Sequence, residues 1–283
     1  MTEVAIETCQ GLPALKIIVR GGGDMATGTA CRLYRSGFRK ILMTELEHPL
    51  AVRRLVSFCE ALYSGSCVVE DVAAVRIGSP LEASKAWDKG MVPVVVDPEN
   101  TSKDVLNPDV VIDATLVKKN LGTSIKDATL VIALGPGFYA GQDVHCVVET
   151  NRGHYLGRLL FDGAAEADTG IPGPILGQTA RRVIRAPQDG IFESDLDIGA
   201  MVKKGQVIGR VSGSEVKVEL DGILRGLIRP HNYVSQGLKI GDVDPRGDAA
   251  YCSTISDKAR AVSGSVLEAI LMRFNTPKEH PRM

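Results

Sequence analysis

Residues 17–37 read IIVRGGGDMATGTACRLYRSG, and this stretch decides the first half of the fold. An apolar, β-branched run is typical of a buried strand, and the apolar spacing after it predicts a helix over about 27–36. Between the two, Gly21, Gly23 and Ala26 form the pattern G-x-G-x-x-A. Small residues at such a turn let a phosphate approach the N–H groups at the helix N-terminus. The stretch therefore indicates either a nucleotide-phosphate turn or an unoccupied Rossmann-like corner.

Two acidic residues bear on that choice. Glu45 ends the second apolar run, about 20 residues after Gly23, where an acidic side chain accepts hydrogen bonds from a ribose. Asp24 argues the other way, because a carboxylate inside the turn repels phosphate unless it caps the helix. Both interpretations of the turn therefore stay open.

Further apolar runs follow at intervals, namely VPVVVD (92–97), DVVIDAT (109–115) and TLVIALGPG (129–137). Hydrophobic strands that alternate with helical stretches indicate a mostly parallel sheet covered on both faces. The next segment, VHCVVETNRGHYLGRLLF (144–161), has two apolar parts around Asn-Arg-Gly and predicts a β-hairpin. Residues 1–180 are therefore predicted to form a Rossmann-like α/β domain with a hairpin extension.

After a glycine- and proline-rich loop, the sequence repeats itself. DGIFESDLDIGAMVKKGQVIGRV starts at Asp189, and DGILRGLIRPHNYVSQGLKIGDV starts at Asp221, so the two align without gaps at an offset of 32 residues. The spacing of Gly, Val and Ile resembles the barrel-sandwich hybrid fold of lipoyl- and biotinyl-type domains. We predict an all-β domain at 181–247 and, within 248–283, a helix that packs back on the body.

Lipoyl-type carriers present their modified lysine on a turn well upstream of the equivalent Asp-Gly. Here Lys217 lies only four residues before Asp221, inside an alternating strand pattern. The position expected for the carrier lysine is deleted or is filled by Ser214 and Glu215. No lipoyl or biotinyl group is therefore expected, and the repeat domain is predicted to dock, gate or position another surface.

Four segments converge where the predicted strands end, which is where ligands of doubly wound sheets bind. The predicted cofactor-binding residues are Gly21, Gly22, Gly23, Asp24, Met25, Ala26, Glu45, Thr115, Lys118, Lys119, Asn120, Gly135, Pro136, Gly137 and Phe138. Acid–base and anion-binding groups for a substrate are predicted at Asp143, His145, Glu149, Arg152 and His154. The alternatives are solvated loop lysines, strand-ending glycine turns and an ordinary hairpin. No residue is assigned a catalytic role.

Composition excludes several classes of function. The 283-residue chain has a formal net charge of −1, which argues against a general nucleic-acid or membrane-surface binder. No run approaches the ~18 apolar residues that a membrane span needs, and the N-terminal sequence lacks the apolar region of a secretory signal. The six cysteines form no C-x-x-C pair, so we expect reduced thiols in a cytoplasmic protein and no metal site.

Several long motifs closely resemble one family. They are RGGGDMATGTACRLYRSGF, DATLVKKN, ALGPGFYAGQDVHCVVETNRGHYLGR and DGILRGLI followed by GLKIGDVDPRGD. They are similar to the YqeB-type accessory proteins of the selenium-dependent molybdenum hydroxylase system. The resemblance implies a maturation factor for molybdenum hydroxylases such as xanthine dehydrogenase-like enzymes, with a client hydroxylase and other maturation proteins as partners. It supplies no established catalytic residues.

Three functional hypotheses follow. In the first, the Rossmann-like crevice of an accessory protein binds a nucleotide or molybdopterin dinucleotide, whose pyrophosphate suits the glycine turn. In the second, the chain is an NAD(P)-dependent oxidoreductase, although no acid–base constellation for hydride transfer is recognisable. In the third, it is a non-catalytic scaffold or docking protein. Whether the chain forms a homo-oligomer is left open.

Overall fold

A nine-stranded sheet organises the first part of the chain. The structure is a computed structural model that describes residues 11–170 and 172–275. The strands are β1 (Lys16–Arg20), β2 (Lys40–Glu45), β3 (Ser66–Val69), β4 (Val72–Arg76), β5 (Val92–Val96), β6 (Val110–Asp113), β7 (Leu130–Leu134), β8 (Cys146–Val148) and β9 (Leu159–Leu160). They lie in the order β3-β4-β5-β2-β1-β6-β7-β8-β9. The pairs from β4 to β8 are parallel and the two edge pairs antiparallel, so the predicted mostly parallel α/β sheet and the hairpin β8–β9 are confirmed.

Both faces of this sheet are buried. Alternate side chains of β1 enter different cores, Ile17 and Val19 on one face and Ile18 on the other. The helices are α1 (Asp24–Arg35), α2 (Ala61–Ser64), α3 (Ala83–Asp88), α4 (Ser102–Leu106), α5 (Ala250–Ser253) and α6 (Asp257–Phe274). Helices α1 and α6 pack together on the first face, while α3 and α4 contribute to the second core. The predicted C-terminal helix that packs back on the body is confirmed.

Two details of the predicted strand–helix alternation are wrong. Helix α1 begins at Asp24 rather than near Thr27, because Gly23 has the extended backbone of an N-cap. Loops without a helix, residues 114–129 and 135–145, connect β6 to β7 and β7 to β8. Helix α6 contacts both β7 and β8, so the C-terminal segment supplies the apolar cover that crossover helices provide elsewhere.

The repeat unit forms two antiparallel sheets around a second core. Its strands are β10 (Val183–Arg185), β11 (Gly190–Glu193), β12 (Met201–Val202), β13 (Val207–Val211), β14 (Ser214–Lys217), β15 (Gly222–Leu227), β16 (Tyr233–Val234) and β17 (Lys239–Asp244). One sheet has the order β10-β17-β15-β12 and the other β14-β13-β11-β16. Apolar side chains of both sheets, Phe192 and Leu224 among them, share one core.

The offset seen in the sequence also relates the strand pairs. Gly190 pairs with Val234, and 32 residues on, Gly222 pairs with Val202, so the halves exchange strands symmetrically. The symmetry extends to strands outside the quoted repeat. Val183 on β10 pairs with Asp242, and the equivalent Glu215 on β14 pairs with Arg210. Neither half completes a sheet without the other.

Residues 52–60 join the repeat unit to the nine-stranded sheet. The Val52 carbonyl accepts a hydrogen bond from the Leu227 N–H at 2.8 Å, and Arg54 Nε donates to the Leu227 carbonyl at 2.8 Å. Further along the segment, the Cys59 N–H donates to the Gly22 carbonyl at 3.0 Å. The same segment therefore contacts β15 and the glycine turn, and it fixes one relative to the other.

Three further expectations from the sequence concern the cysteines, membrane spans and the domain boundaries. The thiols of Cys31, Cys59, Cys67, Cys146 and Cys252 are free, whereas Cys9 lies outside the described residues. Within the part of the chain that the structure describes, no helix has the length and apolarity needed to cross a membrane. The domain boundaries at residues 180 and 247 stay predictions.

Candidate functional site

The glycine turn between β1 and α1 is held by contacts on both sides. The Gly21 N–H donates to the Thr44 carbonyl at 2.7 Å, and the Gly22 N–H donates to Glu45 Oε1 at 2.9 Å. A side chain at Gly22 would place its Cβ 2.9 Å from the Cys59 Cβ. The chain itself therefore covers Gly22, and a ligand does not approach through this residue.

The next glycine is open. Gly23 is the N-cap of α1, with φ −70° and ψ −176°, and no side chain caps this helix. A Cβ at Gly23 would meet no atom within 4 Å. The Thr27 N–H makes the first helical bond, to Gly23, which leaves the N–H groups of Asp24, Met25 and Ala26 without a helical partner. The Met25 and Ala26 side chains are buried in the core, so these two residues can offer a ligand only their backbone.

Arg53 lies against this helix end with part of its guanidinium unpaired. Its Nη2 donates to the carbonyls of Tyr251 and Thr254 at 2.7 and 3.0 Å, and its Nη1 is 4.0 Å from Asp24 Oδ2. The residue is only 7% exposed, yet neither Nε nor Nη1 donates a hydrogen bond to any residue that the structure describes. Burial lowers the pKa of Arg53, and Asp24 opposes that shift. Buried donors on a cation call for an acceptor, and an anion satisfies both the donors and the charge.

Two lysines bring further positive charge to Asp24. Lys239 begins β17, and Lys258 lies in the first turn of α6. Burial lowers the pKa of both ammonium groups, and Asp24 is among the carboxylates that oppose the shift. Arg53 therefore lies 4.0 Å from the Asp24 carboxylate, and the two lysines interact electrostatically with Asp24 as well as with Asp242 and Asp168.

Several ion pairs line the crevice around this point. It is bounded by the carboxyl edge of the nine-stranded sheet, the start of α6 and the face of β15 and β17. Buried Asp242 pairs with Arg182 and Arg225, while buried Asp244 pairs with Arg246. The interactions around this point involve eight cations and five acids. The cations are Arg53, Lys118, Arg152, Arg182, Arg225, Lys239, Arg246 and Lys258. The acids are Asp24, Asp168, Asp242, Asp244 and Asp257.

The loops that follow β1, β6 and β7 do come together. A Cβ at Gly21 would lie 3.1 Å from the Ala114 carbonyl oxygen, and one at Gly137 would lie 2.5 Å from the peptide between Lys118 and Lys119. Gly21 and Gly137 both have positive φ, +95° and +108°, which other residues rarely adopt. Lys118 forms an ion pair with Asp168, and both lysines are exposed. These glycines therefore bring loop backbones together, and the two lysines lie at the rim.

A buried ion pair joins the ends of β1 and β6 next to the crevice. Arg20 Nη1 lies 3.1 Å from Asp113 Oδ2, and the two residues are 5% and 1% exposed. The hydroxyls of Thr115 and Thr123 donate to the same carboxylate at 2.7 and 2.6 Å. The Asn120 amide closes the turn by accepting from the Thr123 N–H at 2.8 Å. Thr115 and Asn120, predicted as ligand contacts, therefore hold the loop in place.

Three predicted site residues do not face the crevice. Phe138 is 4% exposed and packs in the second core of the sheet. Asp143 and His145 precede β8, and His145 Nδ1 accepts from the Val131 N–H at 2.9 Å near the start of β7. Because β8 runs parallel to β7, the chain must return to the opposite edge of the sheet before entering it. The binding roles predicted for Phe138, Asp143 and His145 stay predictions.

The remaining predicted residues follow β8 or β7. Glu149 is 3% exposed and accepts two backbone N–H groups, at 2.6 and 2.8 Å, so it holds the loop. Arg152 makes two hydrogen bonds to Asp257, at 2.7 and 2.6 Å, and thereby reaches the start of α6. His154 is exposed. Gly135 packs against the Thr150 side chain, and Pro136 is partly exposed beside it.

Glu45 lies at the end of β2, as predicted, but its carboxylate is engaged by the backbone. Oε1 accepts from the Gly22 N–H at 2.9 Å and Oε2 from the Leu46 N–H at 2.6 Å. Burial raises the pKa of Glu45, and these two hydrogen bonds oppose the shift. Each oxygen keeps a second lone pair with which it can accept a ligand hydroxyl.

Sequence reasoning missed the cations that define the site. Arg53, Lys239 and Lys258 come from segments far apart in the chain, and although Lys239 lies in the quoted motif GLKIGDVDPRGD, no motif brings the three together. Arg20 directly precedes the glycines, so its position was a usable signal. Among the described residues, no group of three His, Cys, Asp or Glu side chains is placed to hold a metal ion. Two depressions, of about 220 and 320 Å³, lie elsewhere, beside Tyr63 and beside Lys204.

Comparison with known proteins bears on the family. No family model matches the chain. Over 256 residues the chain is 48% identical to a protein of Escherichia coli K12 named "Uncharacterized protein YqeB". The match supports a YqeB-type family. It covers 90% of this chain and 47% of the E. coli protein, so the chain spans about half the length of this YqeB relative.

Solved structures resemble the chain only distantly. An E. coli tRNA N6-threonylcarbamoyladenosine dehydratase, TcdA, is 14% identical with a TM-score of 0.29, covering 95% of this chain and 91% of that one. An aspartoacylase family protein from Mesorhizobium loti is 12% identical with a TM-score of 0.26, covering 80% and 83%. Likeness at this level carries no argument about fold or function.

Proposed function

We propose that the crevice binds a phosphate-bearing ligand at the N-terminus of α1. The proposal rests on Arg53, a buried cation with two unpaired nitrogens beside an uncapped helix end. A helix N-terminus favours anions through its free N–H groups and its dipole. Lys239 and Lys258 add two charges around the same point, so a phosphate gains both hydrogen bonds and charge pairing.

The chemistry of the ligand follows from the sheet. Strands β5-β2-β1-β6-β7-β8 have the doubly wound order 3-2-1-4-5-6, which places the glycine turn where the strand order reverses, beside β6. The residues present fit the pyrophosphate of a dinucleotide, which Gly23, the first turn of α1 and Arg53 would hold. Glu45 would accept a ribose hydroxyl through its remaining lone pairs. We infer that the ligand is a nucleotide cofactor, either molybdopterin dinucleotide or NAD(P).

The resemblance to YqeB-type proteins supports a proposed pathway for this binding. We infer that the chain is a cytoplasmic accessory protein for maturation of selenium-dependent molybdenum hydroxylases, and that it meets a client hydroxylase and other maturation proteins. A molybdopterin dinucleotide held at the crevice would be the cofactor in transit. The similarity to the E. coli protein supports the family assignment on which this pathway depends.

The repeat unit would serve docking rather than group transfer. Its symmetric strand exchange supports a barrel-sandwich hybrid of the lipoyl and biotinyl type. Lys217 lies within β14 and pairs with Glu215, while Ser212 and Gly213 form the turn between β13 and β14. The turn that carries the modified lysine in a carrier therefore has none here. The unit instead supplies β17, with Lys239, as one wall of the crevice.

Calorimetric titration with nucleotides tests the proposal. The wild-type chain should bind at least one of NAD, NADP and molybdopterin dinucleotide. Gly23→Asp should weaken that binding by about tenfold or more, because it adds bulk and negative charge where the phosphate approaches. Gly11→Asp is the matched control, since it adds the same charge at an exposed glycine with open space around it. Equal affinity for wild type and Gly23→Asp, or no binding by the wild type, overturns the proposal. A redox assay with any bound nicotinamide separates an oxidoreductase from an accessory protein.

A further inference from the structure

We propose that the Asp24 carboxylate occupies the place of the ligand's anionic group, and that a ligand group with at least two negative charges displaces it. This inference rests on the proposed function and deepens it, because it names the charge of the group and the residue that competes with it. The juxtaposition that carries it is one carboxylate, at the first residue of α1, 4.0 Å from the unpaired Nη1 of buried Arg53.

The position of Asp24 is the first step. The residue lies at the N-terminal end of α1, immediately after the open Gly23, and its side chain is 34% exposed. Its carboxylate is 4.0 Å from the unpaired Nη1 of Arg53, too far for a hydrogen bond. Asp24 thus balances charge without satisfying the guanidinium donors. A tetrahedral phosphate has more acceptor oxygens and can reach several donors at once.

The charge balance is the second step. Arg53, Lys239 and Lys258 each interact favourably with Asp24. The other carboxylates nearby are already engaged, since Asp242 pairs with Arg182 and Arg225, and Asp168 pairs with Lys118. Asp242 also opposes the pKa shifts of Arg53 and Lys239, and Asp168 opposes that of Lys258, but no carboxylate accepts a hydrogen bond from the buried Nε or Nη1 of Arg53. A group with more acceptor oxygens and more negative charge than a carboxylate satisfies these donors better, which favours phosphate or pyrophosphate over a monoanionic carboxylate.

The side chains also decide against a cation as occupant. A metal ion at Asp24 would lie beside the Arg53 guanidinium, 4.0 Å from the carboxylate, and the repulsion in a partly buried site would outweigh one carboxylate ligand. The same guanidinium explains how a carboxylate is tolerated in a phosphate turn. In the ligand-free chain, Asp24 balances its charge.

Titration of Asp24→Asn with inorganic pyrophosphate tests the proposal. Asparagine keeps the size of the side chain and removes its charge. We expect the Kd for pyrophosphate to fall by about tenfold relative to wild type, because the competing carboxylate is gone. The ligand-free variant should melt below the wild type, and pyrophosphate should raise its melting temperature more. Asp88→Asn is the matched control, since Asp88 is an exposed carboxylate at the end of α3; it should leave the Kd unchanged.

Two further measurements complete the test. Lys258→Met should weaken pyrophosphate binding in the wild-type and Asp24→Asn backgrounds alike, because the lysine contacts the ligand's charge in both. Acetate, a monoanion, should bind the wild type far more weakly than pyrophosphate. Comparable binding of acetate overturns the assigned charge. If Asp24→Asn binds pyrophosphate as the wild type does, or more weakly, the ligand does not displace the Asp24 carboxylate. That result overturns this inference even where nucleotide titration supports binding at the crevice. Loss of both pyrophosphate and nucleotide binding in every variant, wild type included, overturns the proposed function as well.

Discussion

Helices α1 and α6 begin side by side at the crevice, but their first turns are completed in different ways. In α6, the Ser256 hydroxyl accepts from the Ala259 N–H at 3.2 Å, and Asp257 pairs with Arg152 through two hydrogen bonds. In α1, no side chain caps the helix, and the residue at the N-cap is a glycine with open space around it. The chain satisfies one helix end with its own groups and leaves the neighbouring one unsatisfied.

This difference separates a helix end that the protein closes with its own groups from the one that we propose as a binding site. Both helices share the same core and the same solvent, so a general property of the crevice does not account for it. A serine at the N-cap of α1 would have stabilised the helix at no steric cost. The free N–H groups of α1 and the unpaired nitrogens of Arg53 lie at the same place, and both lack a hydrogen-bond acceptor. One bound anion would supply acceptors to both.

The largest expected effect concerns the two adjacent glycines of the α1 turn. Gly22→Ala should destabilise the protein by roughly 1–3 kcal/mol, because its Cβ would lie 2.9 Å from the Cys59 Cβ and 3.0 Å from Glu45 Cγ. Gly23→Ala should change the free energy of unfolding by less than about 0.5 kcal/mol. Urea denaturation of both variants measures the contrast. If alanine is tolerated equally at both positions, residues 52–60 do not press on the turn as described.

Removing the cap of α6 should have a smaller effect. Ser256→Ala should cost about 1 kcal/mol of unfolding free energy, because the Ala259 N–H loses its acceptor. Pyrophosphate affinity should stay at the wild-type value, since this helix end is closed by protein groups. Ser256→Thr, which keeps a hydroxyl, is the control and should retain most of the stability. Weaker pyrophosphate binding by Ser256→Ala would mean that the α6 end, too, contributes to the site.

The contrast between the two helix ends also shows what sequence reasoning can reach. The glycine turn, the C-terminal helix and the 32-residue repeat are local or periodic patterns, and each is present in the structure. The cation cluster is not local, because it brings together Arg53, Lys239 and Lys258 from three segments that meet only in the folded chain. No sequence motif indicates that these three residues come together in the folded chain.

Long-range packing explains the other errors. The loops before and after β7 were expected to contain helices, but α6 arrives from the C-terminal end of the chain and covers that face. Residues 139–145 contain Asp143 and His145, the kind of side chains that active sites use. Their sequence does not reveal that the chain has by then returned to the far edge of the sheet, because that depends on β8 pairing parallel to β7.

The smallest expected effect tests the comparison most closely, by giving α1 the cap that α6 has. Gly23 has φ −70° and ψ −176°, the extended backbone of an N-cap, and a Cβ meets nothing within 4 Å. Gly23→Ser should therefore fold normally and gain a few tenths of a kcal/mol, because the new hydroxyl accepts one of the free N–H groups. That same N–H is then withdrawn from the ligand, so pyrophosphate affinity should fall several-fold while stability rises. Gly23→Ala separates the causes, since it adds a Cβ without an acceptor. If alanine weakens binding as much as serine does, bulk rather than capping is responsible. If serine raises stability and leaves affinity intact, the N–H groups of α1 do not contact the anion, and Arg53 and the lysines bind it without them.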